Sequence, residues 1–193
     1  MQRTVFNEDH EAFRATVRDF IAKEVTPPVH EKWEEDGHPP PRDFYRRLGE
    51  LGVLGIQVPE EYGGGGEKSL KFNVVVAEEV AAAGASFGSQ SVHTNLILPY
   101  LLEYANEEQK SRWLPGFASG DLMFAIAMTE PGTGSDLANI ATTAKLSEDG
   151  THYVSMVPRR SSPVEYLPTA SWWCAVPRPA QRRTGARGGC RFW

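Results

Sequence analysis

Apolar residues recur at helical spacing in the first part of the chain. The first periodic stretch begins after Asn7, a candidate N-cap, and ends before Pro27 and Pro28, because proline interrupts the hydrogen bonds of a helix interior. Its apolar face is formed by Phe13, Val17, Phe20 and Ile21. The pattern predicts a helix that buries this face.

A second helix is predicted between Pro41 and Gly52. Proline is favoured at the first helical position and glycine just past the last one. The apolar side of this helix carries Phe44, Leu48 and Leu51. Residues 58–66, VPEEYGGGG, are predicted to form a loop, because successive glycines leave the backbone too free for a helix.

Three further helices are predicted before residue 121. One begins at Ser69, and its many alanine and valine residues predict burial on most sides. Another covers about Val92 to Tyr104. The last begins at Asn106, which has with Gln109 the spacing of a capping box. Residues 1–120 are therefore predicted to form an all-helical domain.

The period of the pattern changes after residue 120. Phe124, Ile126 and Met128 alternate with small residues, as in a half-buried strand. Residues 140–154 read as two strands around the turn triplet Glu148-Asp149-Gly150. The predicted fold class is α+β, with an N-terminal all-α domain, the first strands of a β-domain over residues 121–154, and an irregular tail over residues 155–193.

The tail differs from the rest of the chain in charge. From Ser155 onward there are seven arginines and one acid, a net charge of +6, whereas the remaining residues carry −11. An acidic body with a basic tail is compatible with a nucleic-acid or membrane arm. The alternative is a tail that was never selected to fold.

Other classes of function are disfavoured by composition. No apolar run approaches the roughly 18 residues of a membrane span, and the start of the chain lacks the apolar stretch of a secretory signal. Cys174 and Cys190 give neither a disulfide framework nor metal-ligand spacing, so a cytoplasmic location is expected. His93 and His152 lack partners at metal-ligand spacing, so we expect them to be surface or satisfied histidines and predict no metal site.

Two more sets of residues are weak candidates. Glu60 and Glu61 are loop neighbours and are expected to point apart into solvent. Trp172 and Trp173, with arginines nearby, could form a base-stacking platform. No recurring basic and aromatic pattern supports that platform, so no nucleic-acid partner is predicted.

Residues 124–136, FAIAMTEPGTGSD, carry the candidate chemistry. A strand ends in a loop where Gly132 and Gly134 permit tight backbone and Thr129, Ser135 and Asp136 supply polar groups. Bare backbone N–H groups beside hydroxyls can hold a phosphate or the edge of a heteroaromatic ring. The alternative is an ordinary turn, because the loop lacks the ending of a P-loop and the spacing of a dinucleotide fingerprint.

Four blocks of sequence resemble the acyl-CoA dehydrogenase family. AMTEPGTGSD, followed by ANIATTA and DGTHYV, resembles its flavin-contacting segment, and the upstream blocks ELGVLGIQVPEEYGG and EEQKSRWLPGFASGD resemble its helical domain. The resemblance covers about residues 8 to 154. It implies an N-terminal helical domain, a middle β-domain and a C-terminal helical bundle, with FAD between them.

The resemblance also implies the reaction. The family removes a proton from the α-carbon and a hydride from the β-carbon of an acyl-CoA thioester, and flavin N5 takes the hydride. It further implies electron-transfer flavoprotein as the acceptor and a homo-oligomer. The α-proton base of many members lies in the C-terminal bundle, so no catalytic residue is assigned in this chain.

Six residues match the family's flavin motif. By resemblance, the isoalloxazine ring would be bordered by Ile126, Ala127, Met128 and Thr129, with the Thr129 hydroxyl bonding the ring edge. Gly134 and Ser135 would continue the FAD loop, and Ser135 would also contact the acyl-CoA substrate. For Ile126 and Met128, core packing is the alternative, and both interpretations can hold together.

The tail is explained by a shifted reading frame. Where the family continues with a stretch like VNGAKTFITGG, this chain has SMVPRRSSPVE. Reading one base earlier permits NGAKTFITGGVLADRVVVVR over residues 155–174, and the genetic code forces its first glycine and a Val-Val pair. We hypothesise that one base is missing near codons 154 and 155, which makes the chain a truncated enzyme that is inactive alone. The alternative is a non-catalytic helical module that associates with an intact homologous subunit.

Overall fold

The structure, a computed structural model, describes residues 5–36, 40–126, 134–135, 143–148 and 153–156. Up to residue 120 the regular elements are helical, as predicted. A 3-10 turn (Glu60–Tyr62) lies inside the predicted glycine-rich loop, and a π-helical turn (Val92–Ile97) runs directly into the fifth α-helix. The α-helices are α1 (Glu8–Glu24), α2 (Pro27–Glu35), α3 (Arg42–Glu50), α4 (Lys71–Ala82), α5 (Leu98–Tyr104) and α6 (Glu107–Ser119).

Local signals place several helix ends where the sequence predicts them, but α4 begins at Lys71, two residues after the predicted start at Ser69. The Asn7 side chain accepts the His10 N–H at 3.1 Å, and the His10 ring accepts the Asn7 N–H at 3.2 Å, which is a capping box with histidine in the third position. Asn106 and Gln109 form the capping box predicted for α6. Gly52, with φ +85°, follows the end of α3, where a left-handed backbone conformation favours glycine.

The prediction that Pro27 and Pro28 only terminate a helix is incomplete. They end α1 and also begin α2, a helix that the sequence pattern missed. A proline in the first turn loses no hydrogen bond, because the first N–H groups of a helix have no intrahelical partner. The same pair of residues therefore separates two helices.

The prediction that α4 is buried on most sides is wrong. Val74 is 45% exposed, whereas the charged Glu79 is only 7% exposed. The Glu79 carboxylate accepts hydrogen bonds from Arg18 Nε at 2.8 Å and from Arg14 Nη1 at 3.1 Å. Hydrogen bonds from Arg18, and then from Arg14, outweigh burial and lower the pKa of Glu79 below its ordinary value. Ion pairing thus joins α1 to α4 where alanine and valine suggested only apolar packing.

Two clusters of buried apolar residues form the core. The first cluster joins α1, α3 and α4, and the second joins the π-helical turn, α5 and α6. The first consists of Val17, Ile21, Val25, Phe44, Tyr45, Leu48, Val53, Leu54, Val76, Phe87 and Met123. The second consists of Val58, Ile97, Leu98, Leu101, Ala105, Trp113, Leu114, Phe117, Ala118 and Phe124.

Glycines allow α3 and the end of α6 to approach closely. A Cβ at Gly49 would lie less than 3.0 Å from three backbone atoms of Ser119. Gly120 ends α6 with φ +78°, and a Cβ there would lie less than 3.0 Å from backbone atoms of Tyr45. This backbone contact fixes the point at which the chain leaves α6.

Two short strands follow, β1 (Thr143–Leu146) and β2 (Tyr153–Met156). They pair antiparallel, with Thr143 opposite Met156 and Leu146 opposite Tyr153. β2 therefore extends two residues past the predicted boundary at residue 154. The two additional residues can pair because the hydrogen bonds between strands use backbone N–H and C=O groups, which nearly every residue carries. The turn residues Asp149 and Gly150, and the tail from residue 157, lie outside the described residues.

We predict that Gly49→Ala destabilises the protein by about 2 kcal/mol, because overpacking against a backbone outweighs the higher helix propensity of alanine. Gly116→Ala is the matched control, since it also adds one methyl to a helical glycine. The atoms nearest to its Cβ would be Cδ1 and Cγ of the Leu122 side chain, both at 2.8 Å, and a side chain can shift more easily than a backbone. Urea unfolding should show the larger loss for Gly49→Ala, and equal losses would contradict the proposed α3–α6 contact.

Candidate cofactor-binding segment

Residues 121–126, here called the exit segment, leave α6 and run between the two clusters. Met123 is fully buried in the first cluster, and Phe124 is buried in the second. Ile126 is half-buried and packs against the second cluster. Successive side chains of an extended chain point to opposite sides, so the segment is held by both clusters. Core packing, the alternative for Ile126, is thus observed.

His93 in the π-helical turn joins the exit segment to α6. Its side chain is fully buried, and its ring stacks on Phe117 with centroids 3.5 Å apart and an interplanar angle of 12°. The Phe124 N–H donates to Nδ1 at 3.2 Å, so Nδ1 carries no hydrogen. Nε2 therefore carries the hydrogen of the neutral ring and donates it to the Phe117 carbonyl oxygen at 3.3 Å.

The buried surroundings keep this histidine neutral. Desolvation lowers the pKa of His93 to about 4, against the opposing effect of the Phe117 carbonyl. A proton on Nδ1 would also face the Phe124 N–H that now donates to it. His93 is therefore a satisfied core histidine, as the missing metal-ligand spacing suggested.

A second set of contacts holds the start of the exit segment. Asp121 accepts hydrogen bonds from Ser119 Oγ at 2.9 Å and from Arg46 Nε at 3.0 Å. Both interactions, the first being the larger, lower the pKa of the Asp121 carboxyl. Arg42 Nη2 donates to the Asp121 carbonyl oxygen at 2.6 Å. Through these bonds, α3 fixes the direction in which the chain leaves Gly120.

The six residues predicted to contact flavin are only partly described. Ile126 lies on the second cluster, whereas Gly134 and Ser135 are exposed. No atom of the described residues would lie within 4 Å of a Cβ at Gly134, so in the described part of the chain the backbone there is open. Ala127, Met128 and Thr129 lie outside the described residues.

Other predicted features can be checked on the described part of the chain. Glu60 and Glu61 are exposed, as predicted. Within residues 5–36, 40–126 and the short described stretches beyond, no group of three His, Cys, Asp or Glu residues could hold a metal ion. The described helices include none that is long and apolar enough to cross a membrane. His152, Trp172 and Trp173 lie outside the described residues.

The sequence predicts that His93 is a surface or satisfied histidine, but it did not reveal the two backbone groups that the ring bonds. A usable signal was present in the pattern. His93, Ile97 and Leu101 are spaced four residues apart and therefore share one helical face. A histidine on an apolar stripe must find partners for its ring nitrogens, which indicates buried hydrogen bonds.

Comparison with known proteins identifies the family. Residues 7–121 match the sequence model described as "Acyl-CoA dehydrogenase, N-terminal domain". The chain belongs to the acyl-CoA dehydrogenase family. The rat mitochondrial long-chain specific acyl-CoA dehydrogenase is 39% identical over 145 residues, which cover 75% of this chain and 33% of that protein. The chain thus spans about a third of the length of the curated relatives it matches.

Solved structures of acyl-CoA dehydrogenases share this fold over the part that matches the chain. The enzyme from Geobacillus kaustophilus is 42% identical, with a TM-score of 0.73 over 81% of this chain and 40% of that one. The Bacillus anthracis enzyme was solved in complex with FAD and is 34% identical, with a TM-score of 0.68 over 80% of this chain and 27% of that one. The resemblance found in the sequence is confirmed.

We predict that His93 makes the protein less stable in acid. The folded chain binds this proton near pH 4 and the unfolded chain near the ordinary value of 6.5. Between these values the unfolded state binds more protons, so the stability contributed at pH 7 is lost as the pH falls toward 4. Urea unfolding at pH 7 and pH 5 should show that the wild type loses about 2 kcal/mol more than His93→Asn.

His93→Asn is the suitable reference because it removes the titrating ring and leaves every other ionisable group in place. Subtracting its pH dependence removes the contributions of the remaining histidines and carboxylates. The same pH dependence in both proteins would show that His93 is accessible to protons in the folded state.

Proposed function

We propose that this chain supplies the N-terminal helical domain (residues 1–120) and the start of the middle β-domain (residues 121–154) of an FAD-dependent acyl-CoA dehydrogenase. The main support for the proposal is the way in which the exit segment is held. Buried packing and hydrogen bonds hold it up to Ile126, and the family's flavin motif begins at that residue. The helical domain would then be the rigid base from which the flavin-contacting residues project.

The described residues are compatible with a bound FAD. A flavin has a flat ring with apolar faces and a polar edge. The proposed contacts include apolar side chains for the faces and a hydroxyl group for the edge. Ile126, Ala127 and Met128 would border the ring, and the Thr129 hydroxyl would bond its edge. The open backbone at Gly134 and the exposed Ser135 leave room for a ligand in the loop that follows. Bound FAD would supply the acceptor for the hydride from the substrate β-carbon.

The proposed substrate is an acyl-CoA thioester. Ser135 would contact this substrate through a hydroxyl that can donate or accept a hydrogen bond. Its exposure beside the open Gly134 backbone supports this role. We assign the removal of the α-proton to no residue of this chain, and the family resemblance puts that base in the C-terminal bundle.

The proposed partners follow from the family. We propose electron-transfer flavoprotein as the electron acceptor and association with further acyl-CoA dehydrogenase subunits. In the alternative form of the proposal, the chain is a non-catalytic helical module bound to an intact homologous subunit. The compartment we propose is the cytoplasm, because residues 1–154 contain no cysteine that could join a disulfide framework.

We also propose that residues 155–193 are read out of frame. If so, resequencing the gene around codon 154 should show one additional base. The natural protein should then be heavier than 21.4 kDa by intact-mass spectrometry. An unaltered reading frame together with a natural product of that mass would contradict the proposal.

We predict that the isolated 193-residue chain retains far less than one FAD per chain, because it carries only part of the proposed flavin site. The chain should be mixed with excess FAD and gel-filtered, and its visible flavin absorbance measured. The full-length Bacillus anthracis enzyme, which was solved in complex with FAD, is the positive control. Tight stoichiometric binding by the isolated chain would overturn this prediction. Co-elution of the chain with an intact homologous subunit would favour the helical-module alternative.

A further inference from the structure

We infer that His93 is a positioning residue, which uses its two ring nitrogens to fix the exit segment against the end of α6. Nδ1 holds the Phe124 N–H and Nε2–H holds the Phe117 carbonyl oxygen. The relevance of this bridge to flavin rests on the proposed function. The bridge itself does not, because all of its atoms belong to the helical domain and the exit segment.

The bridge spans a long separation in sequence. His93 precedes Phe117 by 24 residues and Phe124 by 31. One rigid ring therefore ties three parts of the chain together: the π-helical turn, the last turn of α6 and the exit segment. Its planar geometry fixes the separation between the two bonded backbone groups, which a flexible side chain could not do.

The position of the bridge suits a role in aiming the flavin motif. Ile126 is two residues beyond Phe124, and Thr129 is five residues beyond it. Five residues span at most about 17 Å, so a change in the direction of the chain at Phe124 displaces the whole proposed ring contact. Asp121 and its arginine partners restrain the start of the segment, and His93 restrains its middle.

A purely apolar role for His93 does not account for the geometry. Stacking on Phe117 needs only a flat ring, which phenylalanine would also provide. The two nitrogens face opposite kinds of backbone group, a donor at Phe124 and an acceptor at Phe117. Only the neutral tautomer with hydrogen on Nε2 satisfies both groups.

Two conservative variants separate the two bonds. The Asn amide can place an oxygen near the Nδ1 position and accept the Phe124 N–H, but it is too short to reach the Phe117 carbonyl. The Gln amide can place an N–H near the Nε2 position and donate to Phe117, without an acceptor for Phe124. Both variants lose the stacked ring, so the difference between them isolates the hydrogen bond to the exit segment.

The test is amide hydrogen exchange of the full chain, read at Phe124. In His93→Asn, the Phe124 amide should still exchange only through global unfolding, at the rate that the global stability of that variant predicts. His93→Gln should exchange roughly tenfold faster at Phe124 than His93→Asn at matched global stability, because a buried donor has lost its acceptor. Leu101→Ala is the control for a plain cavity in the second cluster, where Leu101 is buried. In that variant, exchange at Phe124 should follow global stability.

Equal exchange at Phe124 in His93→Asn and His93→Gln would overturn the inference. If either variant fails to fold, hydrogen exchange of the wild-type chain tests the inference. Its Phe124 amide should exchange only through global unfolding, and exchange as fast as that of an exposed amide would also overturn the inference. Flavin is absent from these measurements, so their outcome is independent of whether the chain belongs to an FAD site.

Discussion

The structure depends on a neutral imidazole that is buried between two backbone groups. Buried N–H and C=O groups need hydrogen-bond partners, and removing one partner costs more than the bond contributes. His93 partners the Phe117 carbonyl and the Phe124 amide, and its ring packs on Phe117. Because burial disfavours the charged ring, the hydrogen-bonding pattern is fixed at neutral pH. The end of α6 and the exit segment are therefore joined through the core.

Independent contacts hold the same region. Gly49 and Gly120 bring the backbones of α3 and α6 together, and Asp121 is bonded to Arg42 and Arg46 of α3. Packing places Met123 in the first cluster and Phe124 in the second. The end of the helical domain is thus held by several independent contacts, whereas Gly134 and Ser135 beyond it are exposed. Binding residues are commonly carried by loops that a rigid scaffold positions.

Hydrogen bonds between residues that are close in sequence were predictable, and contacts between residues that are distant in sequence were not. The capping residues Asn7 and Asn106 act on neighbours three residues away, so the sequence predicted both caps correctly. Glu79 is buried against Arg14 and Arg18, which lie 65 and 61 residues away, and no periodicity reports such a pair. The role of His93 depends on Phe117 and Phe124 in the same way. The flavin motif came from a family resemblance, and three of its residues, Ala127, Met128 and Thr129, lie outside the described residues.

The tautomer of His93 tests the central claim most directly. Nitrogen NMR of the uniformly labelled chain at neutral pH distinguishes a protonated ring nitrogen from an unprotonated one. The account predicts a neutral ring with hydrogen on Nε2 and none on Nδ1. A hydrogen on Nδ1, in a neutral or a charged ring, would show that Phe124 does not donate to His93, and the described link between the helical core and the exit segment would be incorrect.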